Sequence, residues 1–329
     1  MRRSAVLACL LGASLGVAAA GRGKDSDGLK AAEQAYEASD YPKAAQLLLT
    51  AASAEPDNAE IQLWLTKTHL EMQQYEAAIK SAERAVALQP KSSEYHEWLG
   101  RAYGERADHA GFMSALGFAK KTRREFETAV ELDGNNFTAR QAVIEFDCAA
   151  PAMAGGGEDK ARPEIAQMAK LDAAEGHYAA GNCRRQKKDF AEADAEFAKA
   201  LEGGLKSAER VFDIGDYAVR HEGPELLASV ANLGAKIAPG DLRIKFYHAV
   251  AEILQKRDGA EAERLLREYL AGAPMRSGYP RPAAGHYWIG VLFESAGNVA
   301  GARTEYAEAV KEEPKNKLAV EALKRVKKE

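Results

Sequence analysis

The sequence predicts an all-α fold, a right-handed α-solenoid of about eight helical hairpins with a capping helix at its C-terminal end. The first observation is a period: Pro56 and Pro90 stand 34 residues apart, and each follows an Ala-rich stretch. A fixed period of this length is typical of stacked helical units rather than of one globular core. The second observation is composition, because helix formers dominate and only 11 of the 329 residues are proline.

The third observation is that small and aromatic residues recur in register. Two hairpins share an alanine, an aromatic ring and a second alanine at identical spacing. These sets are Ala193, Phe197 and Ala200, and Ala302, Tyr306 and Ala309. Chains built from such repeats usually serve as scaffolds or binding surfaces, so the pattern disfavours enzyme chemistry.

Residues 1–20 have the pattern of a secretory signal peptide. Two arginines precede an apolar run over residues 5–20, which ends in small residues beside a polar stretch at 21–27. This order predicts export and cleavage near Ala20, with 21–27 as a linker. An uncleaved anchor is the alternative, but the apolar run is short and rich in small residues. We therefore expect a periplasmic or secreted protein with no integral membrane span after signal removal.

The predicted solenoid covers residues 28–316. Its first hairpin uses a helix at 28–39 and a second helix from Pro42, since proline suits the first helical turn. The second hairpin uses residues 59–72 and 75–88, where apolar residues three to five positions apart give each helix one buried stripe.

The third and fourth hairpins are enlarged. The third begins at Ser93, but its second-helix residues Phe126 and Ala129 arrive ten residues late. Ten residues are too few to bury a core of their own, so they should lengthen the hairpin rather than form a domain. The fourth hairpin carries an Ala-Pro and triple-glycine insert at 150–157. We expect Gly156 to lie in an exposed turn that tolerates bulk.

The later hairpins are more regular. The fifth, at 174–207, keeps all the repeated positions, whereas the second helix of the sixth is degenerate. The eighth ends at Pro314. Residues 317–329 then place apolar side chains on one face and charges on the other, which predicts the polar cap that the last repeat of a solenoid requires.

A small residue and an aromatic ring also mark the first helices. Leu99-Gly100 is followed by Tyr103, and Gly290 is followed by Phe293 at the same spacing. These motifs resemble the tetratricopeptide repeat, in which a small residue lets the two helices of a hairpin approach closely. The resemblance implies a non-catalytic fold that binds other proteins.

A narrower resemblance spans about residues 95–205. The segments 115–121, 126–133 and 150–161 are similar to a family of exported bacterial tetratricopeptide proteins with no established activity. The resemblance implies an envelope or secreted origin and carries over no catalytic residue. This chain departs from the family pattern at Asp147-Cys148, where an aromatic residue is expected.

No motif in the chain calls for catalysis, a metal or a cofactor. The triple-glycine loop lacks a preceding strand and the Lys-Ser or Lys-Thr of a phosphate-binding loop. The seven histidines are dispersed without metal-ligand spacing. We expect no catalytic residue, no metal site and no cofactor. The net charge of −4, with acids and bases interspersed, also argues against a nucleic-acid partner.

Two interpretations remain open for Cys148 and Cys183, which should lie on the first helices of neighbouring hairpins. An oxidising compartment would permit a disulfide between them. The favoured interpretation is two small buried hydrophobic side chains, because packed helix axes about 8–10 Å apart are marginal for a disulfide.

The candidate binding surface is the groove lined by the first helices. Aligning these helices places Tyr178, Phe212, Phe246 and Tyr287 at equivalent positions. They predict a ladder of exposed rings, and packing of the rings between repeats is the alternative. The polar residues predicted beside them are Arg101, Glu105, Asn182 and Arg185.

The function predicted from these observations is a non-catalytic interaction scaffold of the bacterial cell envelope. Its partner would be another protein, held by a peptide or surface segment in the groove. One alternative is an accessory subunit or weak enzyme with a ligand site in the enlarged third and fourth repeats. The other is a structural spacer with no groove ligand.

Overall fold

The computed structural model describes residues 19–150, 155–275 and 278–327, and every regular element in them is an α-helix. The predicted all-α class is confirmed. The helices are α1 (Ala19–Glu37), α2 (Tyr41–Ala54), α3 (Ala59–Glu71), α4 (Tyr75–Leu88), α5 (Ser93–Asp108), α6 (Phe112–Leu132), α7 (Phe137–Ala149), α8 (Glu158–Leu171), α9 (Ala173–Gln186), α10 (Phe190–Glu202), α11 (Ala208–Arg220), α12 (Pro224–Ile237), α13 (Arg243–Leu254), α14 (Gly259–Gly272), α15 (Pro282–Ser295), α16 (Val299–Glu312) and α17 (Lys317–Val326).

Consecutive helices pack as hairpins, from α1 with α2 through α15 with α16, and α17 follows the last pair. Within the described residues this gives the eight hairpins and final helix that the repeat pattern predicts. The chain divides into two compact units, Met1–Lys91 and Ser92–Glu329. The first unit holds α1–α4 and the second holds α5–α17.

The first unit buries a small apolar core between its helices. Ala32, Leu48, Ile61 and Leu65 are each at most 3% exposed. Asn58 caps α3, because its side-chain oxygen accepts hydrogen bonds from two amides of the first helical turn. Apolar stripes and caps thus define these helices as the sequence indicates.

The N-terminal end differs from the prediction. Residues 21–27, predicted as a linker, lie inside α1, which begins at Ala19. The stretch contains no proline, so nothing in it stops the helix from continuing. Nearly all of the predicted signal falls in residues 1–18, outside the described residues, and export stays a prediction. No helix in the described part of the chain is long and apolar enough to cross a membrane.

Glycines in the first helices bring the two helices of a hairpin close together. A β-carbon on Gly181 would stand 2.6 Å from the Phe197 ring, and one on Gly290 would stand 2.5 Å from the Tyr306 ring. In both hairpins the ring comes from the second helix. The predicted role of the small residue is therefore confirmed, since any side chain there would overpack the core.

In the sixth hairpin, the space beside the first-helix glycine is filled by a ring from a different helix. Its second helix, α12, supplies no aromatic residue, in agreement with its degenerate pattern. The space beside Gly215 is filled by Tyr247 of α13, whose ring would lie 2.7 Å from an added β-carbon. The Tyr247 hydroxyl donates a hydrogen bond to Asp216 at 2.8 Å. The sixth and seventh hairpins therefore share one core.

The third hairpin is enlarged by a longer second helix, and the fourth is enlarged at its triple-glycine turn. The second helix of the third, α6, has 21 residues, and Gly117 lies on its exposed face. The triple-glycine turn departs from the prediction, because Gly156 is buried and a β-carbon there would collide with the Ala150 carbonyl oxygen. The Gly157 amide donates to the Asp147 carbonyl at 2.8 Å, which folds the turn back against α7. The expectation that Gly156 tolerates bulk is therefore wrong.

The last helix covers the eighth hairpin as predicted. Ala319, Ala322 and Val326 are each at most 2% exposed. Beside that buried face, Arg325 donates two hydrogen bonds of 2.7 Å to Glu294 of α15. An apolar face and a charged face on one helix thus close the core at this end.

Candidate partner-binding cavity

The first helices of four successive hairpins surround a cavity of about 730 Å³ in the second unit. Residues of α5, α7, α9 and α11 line it, and α6 also contributes. The polar lining includes Arg101, Gln141, Glu145, Tyr178, Gln186 and Arg210. The cavity therefore lies on the face that the sequence assigns to the groove.

Helix α7 extends along the cavity. Thr138, Gln141, Ala142 and Glu145 line it, and their spacing of three to four residues places them on one helical face. Phe126 of α6 adds an aromatic ring to the lining. The face of α7 thus combines apolar surface with polar groups, the usual composition of a binding site.

Most charged side chains in the lining have a partner of opposite charge. Arg101 pairs with Glu97 one turn earlier on α5, at 2.9 Å. Arg210 pairs with the buried Glu175, and Glu209 pairs with Arg243 at 2.9 Å. The two lining arginines thus meet the cavity with their charge already balanced.

Glu145 lacks such a partner. Its carboxylate accepts a hydrogen bond from Nε2 of Gln141 at 2.9 Å, and no ion pair joins it to a Lys or Arg of the described residues. Burial raises the pKa of the Glu145 carboxyl, and the Gln141 hydrogen bond and distant arginines offset only part of that effect. The cavity wall therefore holds a partly desolvated carboxylate.

Two buried amides near this carboxylate are also incompletely bonded. Gln141 is 6% exposed and its Oε1 has no hydrogen-bond partner. Asn182 is fully buried, and neither polar atom of its amide makes a hydrogen bond of normal geometry. Buried polar atoms are nearly always bonded, so these two amides are exceptions. Their unbonded atoms lie beneath the cavity surface, and a bound group could reach them only if the side chains moved.

Two of the four predicted groove rings are core residues instead. Phe212 and Phe246 are each 1% exposed. Phe212 stacks on Tyr247 at 5.9 Å between ring centroids, and Phe246 packs on Tyr269 at 5.1 Å. Rings with so little exposed surface cannot contact a partner. The predicted exposed ladder is therefore wrong at these two positions, where packing between repeats applies.

The other two rings occupy different environments. Tyr178 is 6% exposed but lines the cavity, and its hydroxyl donates to Asp213 at 2.9 Å. Burial and Asp213 raise the pKa of Tyr178, an effect that the nearby Asn182 amide slightly opposes. Tyr287 is half-buried against Tyr306 and lies outside the cavity lining. Of the four predicted rings, Tyr178 alone lines the cavity.

The predicted polar residues divide in the same way. Arg101 lines the cavity, and Asn182 and Arg185 lie on α9 beside it. Arg185 contacts both carboxylate oxygens of Asp213 at 3.2 Å. Glu105 is exposed and is not part of the lining. The structure therefore gathers three of the four around α5 and α9.

Two tertiary links fix the helices behind the cavity. A disulfide joins Cys148 of α7 to Cys183 of α9, whose Cα atoms are 5.4 Å apart. The interpretation of two unpaired hydrophobic side chains is therefore wrong. Each Cα atom lies about 2.3 Å from its helix axis, so facing positions on helices packed at an ordinary distance come within reach of a disulfide. Buried Asp147 accepts a hydrogen bond from Arg123 of α6 at 3.1 Å. The departure from the family pattern at Asp147-Cys148 thus supplies both links.

Comparison with known proteins agrees with this architecture. Two models of the tetratricopeptide repeat match the chain, at residues 35–102 and 249–317. The chain therefore contains tetratricopeptide repeats. No curated protein matches it.

Solved tetratricopeptide structures are similar to this protein at low identity. A thermophilic one from Thermus thermophilus is 20% identical, with a TM-score of 0.48, and the match covers 69% of this chain and 98% of that one. Another, from Parabacteroides merdae, is 12% identical, with a TM-score of 0.43 and coverage of 92% and 98%. Identities this low leave partner and activity open.

Sequence reasoning missed the residues that neutralise the cavity's charges. Glu175, Arg210 and Asp213 lie on first helices, and the repeat pattern assigns them no role. Glu175 and Arg210 are 35 positions apart, about one repeat, so residues one period apart on neighbouring helices could have suggested the pair. No three His, Cys, Asp or Glu side chains within the described ranges are placed to hold a metal.

Proposed function

We propose that this tetratricopeptide protein is a non-catalytic scaffold of the bacterial cell envelope that binds an extended segment of a partner protein in the α5–α11 cavity. The cavity carries this proposal, because it combines apolar surface with polar side chains, among them a Glu145 carboxylate that has no ion-pair partner in the described residues. A preformed site also limits the conformational entropy lost on binding.

The disulfide supports the envelope location. Disulfides persist in oxidising compartments such as the periplasm and are rare in the cytosol. The link between Cys148 and Cys183 therefore agrees with the signal pattern of residues 1–20. N-terminal sequencing of the protein from the periplasmic or secreted fraction should find a start near Gly21. A start at Met1, or recovery from the cytosol alone, would contradict the proposal.

Site-specific crosslinking in cells tests the binding face. A photoreactive benzoylphenylalanine at Thr138 lies in the cavity lining, whereas the same residue at Ala166 lies on the exposed surface of α8. We expect position 138, but not position 166, to capture one discrete envelope protein. Equal capture at both positions, or capture at neither, would refute cavity binding.

A blocking variant provides the matched control. Ala142→Trp adds bulk to the cavity wall, and Ala166→Trp adds the same bulk outside it. The first should abolish crosslinking from position 138, and the second should leave it unchanged. Both proteins should have the same circular dichroism spectrum, which separates blocked binding from misfolding.

An accessory subunit with a small-ligand site is the second candidate. The cavity volume of about 730 Å³ lies within the range of small-molecule sites, and the enlarged third and fourth repeats supply much of the lining. This candidate predicts that a small metabolite raises the melting temperature of wild type but not of Ala142→Trp. The scaffold proposal predicts protein crosslinks without such a ligand.

A further inference from the structure

We propose that the α5–α11 cavity selects a basic residue of the partner, and that a lysine or arginine side chain pairs with the Glu145 carboxylate. This inference rests on the proposed binding of a partner segment and names the chemistry that segment must carry. The occupant is a side chain of an extended peptide, because the cavity is open along several first helices.

The geometry at Glu145 favours a cation. One carboxylate oxygen accepts from Gln141 Nε2 at 2.9 Å, and the carboxylate forms no ion pair with the described residues. The Gln141 amide orients the carboxylate through its nitrogen, while its own oxygen is buried out of reach. The carboxylate keeps free lone pairs that match the several N–H donors of an ammonium or guanidinium group.

The remaining charges disfavour an acidic occupant. An acidic peptide would need a free cation, but Arg101 and Arg210 already pair with Glu97 and Glu175. Recruiting either arginine would break an existing ion pair and leave a buried carboxylate, Glu97 or Glu175, without its arginine. A basic side chain instead adds a pair where none exists, and so removes the cost of a desolvated, unpaired carboxylate.

Groups on three other helices act on Glu145. Arg101 on α5 and Arg185 on α9 favour its ionised form, whereas Asp213 on α11 disfavours it. Burial outweighs them and raises the pKa of the carboxyl. A bound cation would stabilise the carboxylate. Binding should therefore weaken as the pH falls through this raised pKa, and Glu145→Gln should bind without that pH dependence.

Selection from a random twelve-residue peptide library, displayed on phage, tests the inference with the disulfide-intact full chain as bait. Peptides whose binding Ala142→Trp blocks should share one lysine or arginine at a fixed position. Glu145→Gln, or norleucine in place of that basic residue, should raise the dissociation constant about tenfold or more.

Glu131→Gln is the matched control, because it removes the same charge from an exposed site on α6 outside this cavity. It should change the affinity less than about twofold, since charges on an exposed surface are screened by salt. An equal loss in both variants would mean general attraction between opposite charges and would overturn the inference.

The remaining outcomes separate this inference from the proposed function. Two outcomes would overturn the inference and leave the scaffold proposal intact. In the first, the peptides that Ala142→Trp blocks lack a shared basic residue. In the second, their affinity does not change in Glu145→Gln. If Ala142→Trp blocks the binding of none of the selected peptides, both the inference and the scaffold proposal are overturned.

Stability distinguishes a binding role from a structural one. Glu145→Gln keeps an acceptor for Gln141 and removes a desolvated charge, so its melting temperature at neutral pH should equal or exceed that of wild type. The difference should vanish at acidic pH, where the wild-type carboxyl is protonated. A lower melting temperature together with lost binding would assign Glu145 a structural role and overturn the inference.

Discussion

The fourth hairpin, α7 with α8, and the hairpins from α9 to α16 are held together by different interactions. The helices from α9 to α15 share a continuous apolar core that includes buried Phe212, Tyr217, Phe246 and Tyr269. The fourth hairpin has a smaller core, to which Ile144 and Met168 belong.

Covalent and ionic links supplement that smaller core. The disulfide ties α7 to α9, Asp147 ties α7 to α6 through Arg123, and Arg140 of α7 pairs with Glu164 of α8. Specific links hold α7 in place without filling its free face with rings. The comparison teaches that the fourth hairpin can border an open cavity with a smaller apolar core because a disulfide and ion pairs also fix its helices.

The largest effect should follow from emptying the continuous core. Phe246→Ala should cost about 3–5 kcal/mol of unfolding free energy, because it deletes a buried ring and leaves a cavity. Urea unfolding followed by circular dichroism measures it. Phe112→Ala is the control, since that ring is 71% exposed and its loss should cost about 0.5 kcal/mol or less. Similar costs would contradict the core placement of Phe246.

Removing the disulfide should have the next largest effect and should act on the fourth hairpin. Changing Cys148 and Cys183 together to Ala should cost about 2–4 kcal/mol, because the unfolded chain loses a crosslink across 35 residues. Hydrogen exchange should increase in α7 and α8 more than in α13. Wild type in reductant should behave like the double variant, and a uniform increase along the second unit would contradict a local role.

Bulk at a helix crossing should have a smaller effect. Gly290→Leu should cost about 1–3 kcal/mol, because its β-carbon would lie 2.5 Å from the Tyr306 ring. Gly117→Leu, in open space on α6, should leave stability unchanged or raise it by up to about 1 kcal/mol through better helix propensity. Gly156→Leu should also destabilise, since its site is buried. Thermal melts of the three variants rank them.

The smallest effect should come from the cap. The Arg325 hydrogen bonds lower the pKa of Glu294, so this pair contributes stability above the unfolded carboxyl pKa and loses it as the pH falls through the folded value. Glu294→Gln should cost about 1 kcal/mol or less at neutral pH, because the pair is partly exposed. In acid the variant and wild type should melt together, and a difference that persists there would contradict this explanation.

Much of this architecture could be predicted from local pattern. Apolar spacing predicts α4 at 75–88, and the late arrival of Phe126 predicts that the third hairpin is lengthened, which the structure achieves through the long α6. Gly290 and Phe293 predict the close crossing of the eighth hairpin. These features succeed because a hairpin buries its own stripes, so its pattern reports interactions within about one repeat.

The candidate site could be predicted only in part. The repeat assigns Arg101 and Tyr178 to the groove, and both line the cavity. It also assigns Phe212 to the groove, although that ring packs under Tyr247 because α12 lacks an aromatic residue. Which side of a first helix is buried thus depends on which neighbouring helix supplies the ring beside its glycine. The repeat period alone does not specify that helix.

The sequence by itself determined the all-α class, the eight hairpins, the enlarged middle and the final cap. Only the tertiary structure decided that Cys148 meets Cys183, that Gly156 is buried, and that Glu145 in the cavity wall has no ion-pair partner in the described residues. The physical reason is the distance over which the responsible interactions act. Helical periodicity reports which face of one helix is buried, whereas these features depend on distances and charges contributed by several helices.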